Sequence, residues 1–389
     1  MTVSIPAPAA ASVAAPRVGM IAYALDRATG GIARYTRELR SALVRAGLPL
    51  TTLQAGGARP PSANTVRMPG AGLLPGLMTL GQVEIAWTAR ARGLALVHDP
   101  TGVSPLMLTS SQRVATIHDV IPLLQPAAST TLDRLIYQRW LPMVARRLDA
   151  IITVSECSKR DIVRLLGVNA ARVHVVPNAV SEAFRPADRH HIAAATQKHG
   201  ISGPYILYVG SVEARKNLPR LLHAYAALRK MDGSRQLVIV GVPGWKSSPV
   251  FATVERLGLQ ASVRFTGFVS DEDLPALYSG ADLFVFPSLY EGCGLPVLEA
   301  MACGTPVVTS STSSLPEVAG DAAVYCDPTD EPALTAAMQT VLNDANLGNS
   351  LVERGIERAR TFGWDRSALE TMTVYQHVLS GASAPPSRS

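Results

Sequence analysis

No C-x-x-C pair and no zinc-type spacing occurs among the cysteines of this chain, which number four: Cys157, Cys293, Cys303 and Cys326. A disulfide scaffold and a structural zinc site are thereby set aside, and reduced thiols in a cytoplasmic protein are the simplest account. No apolar run approaches the roughly 20 residues of a membrane-spanning helix. No basic residue precedes the Ala/Pro run of the opening MTVSIPAPAAASVAAP. Residues 1–16 are therefore expected to form a disordered tail, not a secretion signal. No G-x-G-x-x-G follows a predicted strand, which removes the dinucleotide fingerprint of a nicotinamide-dependent oxidoreductase. Few aromatics stand near the basic residues and no nucleic-acid module is recognisable, so no nucleic-acid partner is expected.

What remains is a soluble globular composition, 47% apolar and 17% charged, in 389 residues. That length is too great for one core and suits two domains. The halves differ in charge: residues 1–200 carry a net +11 and residues 201–389 a net −5. A basic half suggests that it faces an anionic partner. An anionic membrane is one such partner, met through a weak contact of the first domain. The stretch 130–148 is the face expected to make it, with Arg134, Arg139, Arg146 and Arg147 beside Leu135, Ile136, Tyr137, Trp140 and Leu141. The alternative is plain solubility, with these apolar residues packed into the first domain and the arginines merely solvated.

Short apolar strands alternate with helical stretches throughout, the pattern of an α/β fold with parallel sheets covered on both faces. The first half places strands at 17–23, 49–55, 95–100, 113–119, 150–155 and 173–178. The scheme restarts at 204–211 and continues through 235–241, 263–268, 281–288 and 305–310. A polar stretch, 181–203, separates the halves. The expected division is a domain over 17–185, a linker at 186–203 and a second domain over 204–363. Two doubly wound sheets of this kind bind ligands beyond the carboxyl ends of their strands, and two such edges can face one cleft.

The residues with chemical interest fall on those edges. Gly30 and Gly31 follow the first strand, His118 and Asp119 end the fourth, and Gly210 to Lys216 follow the first strand of the second half. The stretch YEGCGLPVLEAMACGTPVV (290–308) sets Glu291 and Glu299 around Gly292, Cys293, Gly294 and Leu295, with Pro296 in the first turn of a helix. A helix start attracts anions. One acid there is ordinary capping, but two bare glycines point to close approach of a ligand to the backbone. Arg215 and Lys216 suit phosphate oxygens. In SDEDL (270–274), Asp271 and Asp273 are spaced like a metal-binding Asp-x-Asp, but Ser270 as an N-cap makes them ordinary first-turn acids. No metal site and no cofactor are expected.

These stretches resemble the family 4 retaining glycosyltransferases of the GT-B architecture, over roughly residues 17–380. Glu291 and Glu299 match the family's E-x7-E pattern, and GSVEARKNLPRLL (210–222) matches its Arg/Lys phosphate loop. TIHDVIPLLQP, ITVSECSKRDI, VVPNAV, GFVSDEDLPALYSGADLFVFPS and SSLPEVAGDAAVYCDP also fit. WDRSALETMTVYQHVL (364–379) is similar to the last helix, which crosses back onto the first domain. Position 293 is Cys where many relatives carry Phe.

The resemblance implies an acceptor-binding first domain and a second domain that binds a nucleotide sugar. It implies that Gly31, Gly210, Arg215, Lys216, Phe268, Val269, Gly292, Cys293, Gly294, Leu295 and Glu299 serve the donor. Glu299 would accept the ribose hydroxyls, Glu291 would meet the transferred sugar, and His118 would contact the same sugar. The leaving phosphate oxygen can itself take the acceptor's proton, and no residue is singled out as general base. IHDVIPLLQP with GVPGW (241–245) is similar to bacterial mannosyltransferases of polysaccharide assembly. The expected donor is therefore GDP-mannose, with UDP-glucose an alternative, and the expected acceptor a glycan or lipid-linked oligosaccharide. A GT-B phosphorylase or epimerase, or a non-catalytic binding protein, are the other readings.

Overall fold

The computed structural model describes residues 16–22, 31–54, 64–68, 79–102, 106, 108–125, 135–231, 233–242 and 248–381. The expected tail (all but residue 16), the start of the 130–148 stretch and most of GVPGW lie outside these residues.

The first sheet holds β1 (Val18–Ile21), β2 (Leu50–Gln54), β3 (Thr65–Arg67), β4 (Leu96–Asp99), β5 (Gln112–Thr116), β6 (Ala150–Thr153) and β7 (Val173–Val175). All neighbours are parallel, in the order β3-β2-β1-β4-β5-β6-β7. The second holds β8 (Tyr205–Val209), β9 (Gln236–Val240), β10 (Val263–Gly267), β11 (Leu283–Phe286), β12 (Val307–Ser310) and β13 (Val324–Cys326). Its order is β10-β9-β8-β11-β12-β13, again parallel. The winding reverses between β1 and β4 and between β8 and β11, and a crevice opens at each reversal.

The sequence folds this way because its central strands are apolar on both faces. YILYV in β8 and LFVF in β11 are buried at every residue, as strands covered by helices on two sides require. In the first sheet the alternation is visible residue by residue. Ile21, Leu53 and Ile151 enter one core with Ile85, Ile117 and Leu141. Val18, Met20 and Ile152 enter another with Tyr35 and Leu39.

The closing helix Trp364–Ser380 lies on that second face, against helix Gly31–Arg45. Trp364, Ala368, Val374 and Tyr375 fill it, so the end of the chain returns to the first sheet. A buried polar chain runs beneath. Tyr375 Oη lies 2.6 Å from His98 Nδ1, His98 Nε2 lies 2.9 Å from Thr116 Oγ1, and Tyr35 Oη lies 3.0 Å from the same hydroxyl.

Three details differ from the sequence reading. The stretch expected as linker contains helix Arg189–Lys198, because Asp188 caps it by accepting His191 N–H at 2.9 Å and its middle is alanine-rich. Strands β3 and β13, three residues each at sheet edges, were not anticipated. In the 130–148 stretch a π-helical turn, Ile136–Trp140, leads into helix Leu141–Ala145. Ile136 and Leu141 are buried there, Tyr137 and Trp140 half-buried, and Leu135 alone of the five apolar residues is exposed. The apolar side of this segment therefore faces inward, whereas Arg139, Arg146 and Arg147 are exposed.

Candidate active site

The turn after β11 is shaped by two glycines. Gly294, at φ +80°, takes the left-handed conformation that admits the start of helix Leu295–Ala302. Gly292 is needed for closeness: a Cβ there would stand 2.9 Å from His118 O and 3.0 Å from Asp119 Cβ. The two strand edges expected to share a cleft are thus in contact, with the turn of one against the His–Asp end of the other.

Glu291 is buried between two cations. Arg215 Nη1 lies 2.8 Å from Glu291 Oε2, and Lys216 Nζ 2.7 Å from Glu291 Oε1. Burial opposes the carboxylate's charge, but Lys216 and Arg215 outweigh it and hold the carboxyl below its usual range. Burial pulls the Lys216 ammonium down, with Glu291 opposing, and that ammonium stands 4.8 Å over the Phe286 ring. Arg215 also donates to Tyr290 O at 2.9 Å. Glu213 also stands 3.6 Å from Arg215, so the two cations are met here by two acids.

Glu299 sits one turn into the helix, 5% exposed. Arg34 Nη1 reaches Glu299 Oε1 at 2.6 Å from the first domain, and Tyr278 Oη donates to Glu299 Oε2 at 2.9 Å. Burial raises this carboxyl's pKa against the pull of Arg34. Arg34 Nη2 also bonds Asp271 at 2.5 Å. Asp273 instead pairs with Lys198 at 2.6 Å and His199 at 3.1 Å. The two aspartates of SDEDL therefore turn to different partners. The cap expected at Ser270 is corrected as well: Asp273 is the N-cap of Leu274–Ser279, and Ser270 Oγ accepts its N–H only at a long 3.4 Å.

His118 is neutral at ordinary pH, since burial pushes its pKa down to about 4. Its Nε2 lies 3.0 Å from Pro100 O. A carbonyl only accepts, so Nε2 carries the proton and Nδ1 keeps a lone pair. The ring packs edge-on to Tyr35 at 4.7 Å. A pocket opens beside it, lined by Asp119, Thr101, Ile32, Tyr137 and Trp140 among others.

Two family models divide this chain between them. Residues 29–184 match Glycosyltransferase Family 4, and residues 193–358 match Glycosyl transferases group 1. O-antigen chain mannosyltransferase B of Escherichia coli is 36% identical over 296 residues, which is 75% of this chain and 76% of that protein. The chain belongs to glycosyltransferase family 4. An MMP alpha-(1->4)-mannosyltransferase of Mycolicibacterium hassiacum is 32% identical to this glycosyltransferase, over 74% of this chain and 72% of its own. Sucrose-phosphate synthase of Thermosynechococcus elongatus shares the GT-B fold, at TM-score 0.77 and 25% identity, covering 94% of this chain and all of its own. The protein is a hexosyltransferase with two facing sheets.

The other residues expected at the glycosyltransferase site are dispersed around it. Gly31 is the first residue of its helix and exposed. Gly210 follows β8 and donates its N–H to Val240 O at 2.9 Å. Phe268 is 64% exposed, whereas Val269 is buried in the core around the second sheet and Leu295 packs against that core. Cys293 is half-buried, its thiol pushed up to about 12 by burial. The sequence reading missed Arg34, Tyr278, Ser155, Ser158 and Glu317, all of which bond across or beside the cleft. ITVSECSKRDI was noted as a match, but no spacing rule marks its serines as partners of a residue over a hundred positions away.

Proposed function

We propose that this glycosyltransferase transfers mannose from GDP-mannose, with retention at the anomeric carbon, to a glycan or lipid-linked oligosaccharide. The observation that carries this reading is the convergence of Arg215 and Lys216 on Glu291 at the glycine turn. Their positive charge, with the N–H groups that open helix Leu295–Ala302, suits a departing diphosphate in a closed cleft. No metal is needed for that charge. Glu299 takes the ribose hydroxyls and Glu291 the transferred sugar. His118 offers its Nδ1 lone pair to a hydroxyl of that sugar. Because Glu291, tied to two cations, is unfit to attack the sugar as a nucleophile, retention would proceed without a covalent intermediate, by attack of the acceptor on the face the diphosphate leaves. The leaving phosphate oxygen then takes the acceptor's proton on the same face. The acceptor enters against the first domain, at the pocket beside His118. Mannose is supported by the two mannosyltransferase relatives, and a polysaccharide product by the O-antigen enzyme.

Weak contact of the first domain with an anionic membrane belongs to the proposal too, carried by that domain's charge and no longer by an apolar face at 130–148. Among the described residues no helix is long and apolar enough to cross a membrane.

The test is a panel of GDP-mannose, UDP-glucose and ADP-glucose, incubated without acceptor and followed by release of nucleoside diphosphate. Slow release from GDP-mannose alone, with the released sugar first appearing as the donor's own anomer by NMR, is expected. Release only from a glucose donor would overturn the mannose assignment, and the opposite anomer would overturn retention.

A further inference from the structure

The glycine turn is held from the opposite domain. Ser155 Oγ donates to Gly292 O at 2.8 Å, and Ser158 Oγ donates to the same oxygen at 3.2 Å. Both serines are buried. They stand at the start of helix Glu156–Leu166, which follows β6. The second domain fastens that helix start in return. Glu317 accepts the Glu156 N–H at 2.7 Å on one carboxylate oxygen and the Cys157 N–H at 2.8 Å on the other. Tyr290, just before the turn, donates its hydroxyl to Asp161 of the same helix. On the far side of the turn, Ser314 Oγ donates to Glu291 O at 2.9 Å and Glu291 N–H donates to Ser313 Oγ at 3.0 Å.

A trans peptide is planar, so its C=O and N–H point in opposite directions. Fixing the Gly292 carbonyl toward two hydroxyls therefore fixes the Cys293 N–H to point away from them. We propose that Ser155 and Ser158 are positioning residues, which aim the Cys293 N–H at the donor's diphosphate when the two domains close. This rests on the donor reading above and adds to it a requirement: the phosphate seat of the second domain is completed by the first. An unheld Gly292–Cys293 peptide can rotate, and its N–H is lost as a donor when charge builds on the departing phosphate. A preset dipole is most valuable at that moment. The released diphosphate carries a charge that the intact donor lacks, so it too depends on this N–H more than the donor does.

Ser158→Ala is the discriminating variant, because the helix keeps its cap from Ser155 Oγ to Ser158 N–H at 3.0 Å. Kinetics with the donor that the wild type turns over are combined with calorimetric titration of GDP, UDP, guanosine and uridine. One buried hydrogen bond sets the scale. The expectation is a kcat lower by about tenfold, a donor KM within about twofold of wild type, and diphosphate affinity lower by about tenfold with nucleoside affinity unchanged. Ser155→Ala should fall likewise and Ser155→Thr, which retains the hydroxyl, should recover. Wild-type kcat and diphosphate affinity in Ser158→Ala would overturn the positioning role alone, as would an equal loss of nucleoside affinity. A wild-type protein that binds neither diphosphate would overturn the donor reading and the proposal together.

Discussion

Arg34 of the first domain and Glu299 of the second meet at 2.6 Å, and Tyr278 occupies the other oxygen of the same carboxylate. On the proposed reading, ribose hydroxyls seeking Glu299 must therefore share it with, or displace, a cation that belongs to the opposite domain. Arg34 is also what opposes the upward push of burial on the Glu299 carboxyl. Arg34→Ala should raise that pKa further, so that donor binding weakens at a higher pH than in the wild type as the solution is acidified. Donor KM measured from pH 8 down to pH 5 checks this, and superimposable profiles would contradict it.

The two glutamates should separate in kinetics. Ribose contacts are made equally before and during reaction, so Glu299→Ala should chiefly raise donor KM. Contacts at the transferring sugar matter most in the transition state, so Glu291→Gln and His118→Ala should chiefly lower kcat. An unchanged donor KM with abolished kcat in Glu299→Ala would invert these assignments.

Glu291→Ala should also destabilise the fold, because it removes the carboxylate that buried Lys216 pairs with and leaves Arg215 only the more distant Glu213. Removing one partner of a buried pair costs about 3–5 kcal/mol. A nucleoside diphosphate should restore part of the lost Tm, and by more than it raises the wild type's. Thermal denaturation with and without GDP or UDP reads both effects.

Activity should survive excess EDTA, because the two cations and the helix start supply positive potential without an ion. Loss of activity with EDTA, restored by manganese or magnesium, would redirect attention to Asp271 and Asp273.

Acid should unfold the protein through its buried histidines. Burial lowers His98 to about 3 and His118 to about 4, against 6.5 for an exposed imidazole. The unfolded chain takes up these protons first, so the stabilisation is full above pH 6.5 and declines as pH falls toward 4. At pH 5 each histidine accounts for about 2 kcal/mol of the loss. His98→Gln should flatten the fall of Tm between pH 6.5 and 5, and an equally steep fall would show that other groups dominate.

The architecture was legible because its central strands are buried on both faces and read as unbroken apolar runs. The three-residue edge strands β3 and β13 bury too little to leave that mark. Residues at strand ends were legible for the same reason: His118, Gly210 and Glu291 each stand where an apolar run stops. What no pattern announced were the partners. Arg34 and Glu299 are 265 positions apart and Ser155 and Gly292 137. Each pair is made by the facing of two sheets, and a local period carries no information about that. The 130–148 stretch left two readings open, and the structure bears out the inward-packed one for Ile136 and Leu141. Its apolar and basic residues alternate as at a membrane interface, but Ile136 and Leu141 had a core to enter.

The return of helix Trp364–Ser380 to the first sheet has a consequence for synthesis. Val18, Met20, Tyr35 and Leu39 are made within the first tenth of the chain, yet part of their cover, Trp364 to Tyr375, is made in the last. While the ribosome works through the second domain, the first carries an incompletely covered apolar face and a His98 whose Tyr375 partner does not yet exist.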